Sequence, residues 1–100
     1  MVNMKKMMQQ AQQMQDKLQA ELAELRVSAS AGGSVVTATL NGQKELVQLE
    51  IDPAVVDPED VEMLQDLVVA AVTEASRRVD EEVQNKMSSM MPPGMGGMFG

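Results

Sequence analysis

The sequence predicts an α+β fold in which two long helices flank a three-stranded antiparallel sheet, in the order α-β-β-β-α. Three patterns predict it. Apolar residues recur at helical spacing before residue 26, alternate with polar residues between 27 and 51, and return to helical spacing after residue 57. A chain of 100 residues has the length of one domain. We assign this domain to residues 1–87 and expect residues 88–100, rich in Met, Gly and Pro, to form a flexible tail.

A heptad repeat predicts the first helix. Its apolar residues lie three and four positions apart in alternation, which is typical of a helix of about 22 residues that presents one stripe to a partner. Methionines dominate the stripe and favour an adaptable core or interface over a promiscuous ligand-binding surface. The stripe consists of Met4, Met7, Ala11, Met14 and Leu18.

Three short segments predict the strands. Alternation of apolar and polar residues begins at Val27, and Gly32-Gly33 predicts the turn after the first strand. Asn41-Gly42 predicts a two-residue hairpin, because both residue types tolerate the positive φ of a type I′ turn. Such a hairpin pairs Leu40 with Gln43 and Val36 with Val47. It gives the sheet one apolar face made of Val36, Ala38, Leu40, Val47, Leu49 and Ile51.

The second helix is predicted to begin at Asp57-Pro58 and to continue to about Met87. Asp57 is the expected cap and Pro58 the first helical residue, while Asp52-Pro53 ends the sheet. We expect both helices to lie over the sheet and to extend beyond its edges. The predicted buried stripe is Val61, Leu64, Val68, Ala71, Ala75, Val79 and Val83.

Six consecutive apolar residues within this helix predict a second chain. At about 100° per residue they surround the helix, so a single small sheet can cover only part of them. A 100-residue chain also buries a modest fraction of its surface, which favours association. We therefore expect a homodimer. Its candidate interface residues are Leu67, Val68, Val69, Ala70, Ala71 and Val72.

The composition excludes most catalytic chemistry. The chain has no His, Cys, Tyr or Trp, which removes the usual proton shuttle, thiol nucleophile and zinc ligands. The carboxylates of Asp52, Asp57, Glu59, Asp60 and Glu62 could bind a divalent cation, but acidic residues are ordinary in a first helical turn. We expect no enzymatic activity, no cofactor, no metal and no small-molecule substrate. Without an apolar run of about 20 residues, we expect a cytoplasmic protein with no membrane partner.

Charge is segregated along the chain. The net charge is −7, yet residues 1–17 carry three lysines against Asp16 alone. Residues 18–100 carry five basic and fourteen acidic side chains. The first helix is therefore the positive end of an acidic protein.

Two sets of cations are candidates for contacts with DNA. On a helical wheel Lys5 and Lys6 lie opposite the methionine stripe together with three glutamines, and no acidic residue precedes Asp16. Arg77 and Arg78 have acidic residues one turn away, so a salt-bridged surface is favoured there; the spacing pairs Glu74 with Arg78, Arg77 with Glu81, and Glu82 with both Arg78 and Lys86. The candidate DNA-binding residues are Lys5, Lys6, Gln9, Gln12, Gln13, Lys17, Arg77 and Arg78.

Three segments in order resemble the YbaB/EbfC family of bacterial nucleoid-associated proteins. They are residues 8–15 (MQQAQQMQ), Asn41-Gly42 followed by residues 50–53 (EIDP), and residues 62–68 (EMLQDLV) followed by Arg77-Arg78. The resemblance implies an α-β-β-β-α protomer and a tweezer-shaped homodimer with projecting helices. It also implies binding to double-stranded DNA that organises the nucleoid and influences gene expression, without enzymatic activity or cofactor.

A second function class remains open at this point. The methionine-rich helix and tail could instead engage another protein, as in an adaptor or a chaperone-like module. The salt dependence of DNA affinity separates the two hypotheses, because only phosphate contacts give a steep dependence.

Overall fold

The computed structural model of the chain describes residues 3–90 and confirms the α+β class and the predicted order of elements. Along the chain, a long helix is followed by a three-stranded antiparallel sheet and then by a second long helix, with a short 3₁₀ turn at Pro53–Val55 between the sheet and the second helix. The elements are α1 (Met4–Glu24), β1 (Val27–Ala31), β2 (Val36–Leu40), β3 (Leu46–Ile51) and α2 (Val61–Met90).

The core lies between α2 and two of the three strands. The strand order is β1-β2-β3, and α2 packs across β1 and β2. Alternation along these strands turns their apolar residues toward α2 and their Ser and Thr residues toward solvent. Small side chains on both surfaces let the helix approach the sheet closely. The buried apolar residues are Val27, Ala29, Val36, Ala38, Leu40, Ala71, Ala75 and Val79.

The third strand is left uncovered. No residue of β3 is buried, although Ile51 and Leu49 stand opposite the buried Val36 and Ala38. A helix is about 10 Å wide, whereas three strands that each occupy about 4.8 Å make a sheet about 14 Å wide. One helix therefore covers two strands, and the apolar residues of β3 stay accessible.

The expectation that both helices cover the sheet is wrong. Among residues 3–90, α1 contains no buried residue and packs extensively on no other element. Its C-terminal end is fixed to the β2–β3 loop, where the N–H of Gly42 donates to the carbonyl of Leu22 at 2.7 Å. The helix projects from that point because α2 already occupies the apolar face of the sheet.

The predicted two-residue hairpin is also wrong. Leu40 pairs with Leu46 and Val36 with Ile51, and the register shifts after Thr39. The connection is a five-residue loop over 41–45, in which Lys44, not Asn41 or Gly42, has a positive φ of 62°.

The side chain of Asn41 determines the conformation of this loop. Asn41 is buried, and its Oδ1 accepts hydrogen bonds from the backbone N–H groups of Gln43 and Glu45, each at 2.9 Å. A Cβ at Gly42 would lie 2.7 Å from the carbonyl oxygen of Leu22. Glycine is therefore required here for close approach to α1, and not for a turn conformation.

Both ends of α2 differ from the prediction. The helix begins at Val61, and the Oδ1 of Asp60 accepts from the N–H of Met63 at 3.3 Å, which is the capping contact assigned to Asp57 from the sequence. Asp57 instead accepts from the N–H of Glu59 at 2.9 Å in the preceding turn. At its other end α2 continues to Met90. The rest of the predicted tail, residues 91–100, lies outside the described residues.

Candidate nucleic-acid interface

The outward face of α1 carries the first set of predicted cations. Asn3 caps the helix, its Oδ1 accepting from the N–H of Lys6 at 3.2 Å. Lys5 and Lys6 are exposed in the first turns, and within residues 3–90 neither forms an ion pair with a carboxylate. The helix N-terminus adds positive potential at this end. The exposed glutamines of the same region are Gln9, Gln12 and Gln13.

Lys17 lies in a different environment from Lys5 and Lys6. It borders a cleft of about 370 Å³ where the C-terminal parts of the two helices approach each other. The Nζ of Lys86 on α2 is 3.5 Å from the Oε2 of Glu21 on α1, so a carboxylate and a second cation lie near Lys17. The structure therefore separates Lys17 from the two N-terminal lysines with which the sequence grouped it.

Carboxylates neutralise the guanidinium of Arg77. Its Nε donates to Glu74 Oε2 at 3.1 Å, its second terminal nitrogen to Glu74 Oε1 at 2.6 Å, and its first to Glu81. The hydrogen bond from Arg77 lowers the pKa of Glu74 below its ordinary value. The hydrogen bonds to Glu74 and Glu81 raise the pKa of Arg77. This side chain already has its counter-charges.

Arg78 is held between the helix and the sheet. Its Nε lies 3.4 Å from Glu74 Oε1, and its terminal nitrogen donates to the carbonyl of Ser28 at 3.0 Å. The predicted pairing with Glu82 does not form, and Lys86 pairs with Glu21 rather than with Glu82. Tertiary neighbours replace the partners that helical spacing alone suggested.

The six consecutive apolar residues from Leu67 to Val72 form a ring around α2, which has a side that faces the sheet and a side that faces solvent. Ala71 is buried against the sheet, whereas Leu67, Val68 and Val72 are half-buried. Val69 is 64% exposed and Ala70 is also exposed.

The two exposed residues of the ring point to different flanks of α2. Asp80 follows Val69 by eleven residues, or about three turns, and pairs with Lys44 of the loop that leads into β3 at 2.8 Å. Val69 therefore lies on the β3 side of α2. Ala70 is rotated away from β3, in a cleft lined by the apolar Met63 and Leu67 and by three acidic residues, Asp60, Glu62 and Asp66.

An accessible apolar surface on the β3 side of the molecule results from these placements. We call it the uncovered strip; it is formed by the exposed residues Leu46 and Leu49 of β3 and Val69 of α2, and is bordered by the half-buried Ile51 and Val72. The exposure of the β3 residues was not predicted, because alternation of apolar and polar residues predicts an apolar face but not which strands the helix covers. The adjacent apolar residues Leu46 and Val47 were the available signal.

The described residues offer neither a metal-binding cluster nor a membrane-spanning helix. Residues 3–90 contain no group of three or more Asp, Glu, His or Cys side chains placed to hold a metal ion. Within the same range, neither helix is long and apolar enough to cross a membrane.

The amino-acid sequence is similar to curated bacterial proteins along nearly its whole length. A nucleoid-associated protein of Moorella thermoacetica is 57% identical over 93 residues, which cover 90% of this chain and 89% of that protein. A nucleoid-associated protein of Koribacter versatilis is 52% identical over 94 residues, covering 94% of this chain and 92% of that protein.

The fold is also known from a crystal structure. An uncharacterized protein from Helicobacter pylori matches with a TM-score of 0.72 at 24% identity, over 89% of this chain and 94% of that one. At this level of identity the likeness concerns the fold. A model of the YbaB/EbfC DNA-binding family matches residues 1–95. The chain therefore belongs to the YbaB/EbfC DNA-binding family.

Proposed function

We propose that the protein binds double-stranded DNA as a homodimer, without catalysing a reaction, and so organises DNA in the bacterial nucleoid and influences gene expression. The observation that carries the proposal is the outward face of α1. There Lys5 and Lys6 stand exposed on a projecting helix, whereas Arg77 and Arg78 are already paired. Membership of a DNA-binding family supports this function over the adaptor alternative.

The charge distribution determines which end of the molecule can approach DNA. Residues 18–100 carry five basic and fourteen acidic side chains, a net charge of −9, whereas the first seventeen residues carry +2, so the body repels a polyanion while the tip of α1 attracts it. The lysines would contact phosphates, which position the protein without reading sequence. The amides of Gln9, Gln12 and Gln13 can donate to phosphates or bond to base edges.

The salt dependence of DNA affinity tests this interface. If Lys5 and Lys6 of both protomers contact phosphates, the log–log slope of affinity against salt should be about −3.6, at about −0.9 per contact. Lys5→Ala with Lys6→Ala should flatten this slope and weaken binding to all duplexes alike. Arg77→Ala with Arg78→Ala is the comparison pair and should have a smaller effect. A larger effect of the arginine pair would show that the salt-bridged face opens onto DNA, and no effect of either pair would favour the adaptor alternative.

The uncovered strip supports the homodimer part of the proposal. A second copy that packs on the strip would bury Leu46, Leu49 and Val69, and association is driven by removal of such apolar area from water. Two copies joined through their strips would each project an α1, which is consistent with a tweezer shape.

Two neighbouring substitutions test the dimer interface. Val69→Glu places a charge in the strip and should give monomers or aggregates, because an unpaired charge is costly to bury. Ala70→Glu, one residue further and on the other flank, is the matched control and should remain dimeric. Sedimentation velocity at micromolar concentration measures both. A wild-type monomer, or dissociation by Ala70→Glu alone, would contradict the proposed interface.

A further inference from the structure

Most of the apolar stripe of α1 has no partner in the described part of the chain. We call Met4, Met7, Ala11 and Met14 the methionine seam. All four are exposed, Met4 at 74% and Met14 at 68%. The seam lies on the side of α1 opposite Lys5, Lys6 and the glutamines, so DNA on the outward face would leave it uncovered.

The body of the chain does not reach most of the seam. α2 approaches α1 around Met14 and Leu18, where Lys86 and Ser89 border the shared cleft. Met4, Met7 and Ala11 lie beyond that cleft and, with Met8, line an apolar depression of their own. Most of the stability of a helix in a protein comes from packing of its apolar face, and no residue of α1 is buried.

The spacing of the seam indicates which partner would fit it. Intervals of three and four residues match the a and d positions of a heptad repeat, whose partner is a second helix with the same spacing. The flanking positions Met8, Gln10 and Gln15 carry no charge, so two such helices can approach without repulsion. Residues 91–100 are a poorer match, since Pro92 and Pro93 and several glycines disfavour a helix.

We propose that the methionine seam pairs with the seam of a second copy in a short two-stranded coiled coil. This second self-association surface goes beyond the proposed function and is separate from the uncovered strip, because the strip lies on β3 and α2. Together the two surfaces connect dimers to one another and keep Lys5 and Lys6 of every copy on the outside. The seam is short, and flexible methionine side chains do not strongly favour one packing arrangement, so pairing should be weak in solution. It should be stronger where DNA raises the local concentration of the protein.

Disulfide trapping tests the pairing without DNA. The chain contains no cysteine, so a single introduced thiol is unique. Val69→Glu should be present in every variant so that the strip does not bring copies together. Met7→Cys reports a parallel pair, and an equimolar mixture of Met7→Cys and Ala11→Cys reports an antiparallel pair. Gln13→Cys, on the opposite face of the same helix, is the control.

Under mild oxidation, covalent dimers should form at least about tenfold faster than in the control, in both seam samples for a parallel pair and in the mixture alone for an antiparallel pair. Equal rates for seam and control thiols would overturn the proposal. If residues 91–100 occupied the seam instead, cross-linking would be slow in the full chain and would rise after truncation at Met90, which would also overturn it.

A second measurement separates this inference from DNA binding itself. Ala11→Glu places a charge in the seam while leaving Lys5 and Lys6 intact. It should retain the affinity of the first dimer for a short duplex but lose the larger complexes that form on long DNA. Loss of affinity for the short duplex, or persistence of the larger complexes, would contradict a seam that acts only between copies.

Discussion

α2 buries Ala71, Ala75 and Val79 against the sheet, whereas α1, whose apolar stripe is equally regular, buries no residue. The two stripes differ in what they can reach. The sheet offers one apolar face, and α2 occupies most of it. α1 ends at Glu24, before the first strand, and projects away from the sheet. Its apolar stripe and its polar face are both accessible. A regular stripe therefore predicts a helix that needs a partner, but it does not show whether the partner is in the same chain.

The largest expected effect is the difference in stability between two variants, one with a glutamate on the buried stripe of α2 and one with a glutamate on the exposed stripe of α1. Ala75→Glu buries an unpaired carboxylate between α2 and the sheet and should destabilise the fold by about 3–5 kcal/mol, enough to abolish cooperative unfolding in a small domain. Ala11→Glu on the exposed stripe of α1 should change the free energy of unfolding by only a few tenths of a kcal/mol. Urea denaturation followed by circular dichroism compares them. Similar losses for both variants would mean that α1 belongs to the folding core.

The contact between the two regions is the next test. Gly42→Ala places a Cβ 2.7 Å from the carbonyl oxygen and 2.9 Å from the Cα of Leu22, and a backbone neighbour cannot rotate away. We expect a destabilisation of about 1–3 kcal/mol, measured by urea denaturation. Gly33→Asn is the control, because nothing lies within 4 Å of its Cβ and Asn tolerates a positive φ. Wild-type stability of Gly42→Ala would show that the end of α1 is not fixed there.

Loss of the cap of α2 should destabilise the whole domain, whereas loss of the cap of α1 should affect only the first turn of that helix. Asp60 caps α2 and Asn3 caps α1, each by one hydrogen bond to a backbone N–H. Asp60→Ala should lower the melting temperature, since removing a cap costs about 0.5–2 kcal/mol. Asn3→Ala should only increase hydrogen exchange in the first turn of α1, because that turn unfolds independently of the core. A fall in melting temperature with Asn3→Ala would contradict this independence.

The smallest expected effect concerns pH. Hydrogen bonding from Arg77 lowers the pKa of Glu74, so this carboxylate contributes stability above its unfolded pKa and loses it as pH falls through the folded pKa. Glu74→Gln should therefore be slightly less stable than wild type at pH 7, and the difference should vanish in acid, below both pKa values. Thermal melts across this range measure it. With Arg77→Met and Arg78→Met present, Glu74→Gln should have no pH-dependent effect; a remaining difference would point to another partner.

Local patterns predicted most of the fold. The alternation from Val27 and the helical spacing of α1 and α2 give the observed element order, because secondary structure follows from periodicity over neighbouring residues. The sequence predicted Asp57 as the cap of α2, but Asp60 is the cap in the structure. Both residues are suitable caps, and only Asp60 lies at the actual end of the helix. The prediction of a two-residue hairpin was wrong for a different reason. Gly42 is needed for close contact with Leu22, a residue distant in sequence, and not for a tight turn.

The candidate site was predicted unevenly. The paired state of Arg77 followed from spacing on one helix, because its partners are one turn away. The ion pair of Lys86 with Glu21 and the hydrogen bond of Arg78 to Ser28 could not be predicted, since they join elements that only the fold brings together. The exposure of Lys5 and Lys6 was predicted from the wheel, whereas their separation from Lys17 required the position of α2.

The sequence by itself determined the elements, the family and the segregation of charge, because these depend on residue type and short-range spacing. Only the tertiary structure decided which apolar surfaces are buried. A single helix is too narrow to cover three strands, so α2 leaves the uncovered strip at β3 and leaves α1 without a place on the sheet.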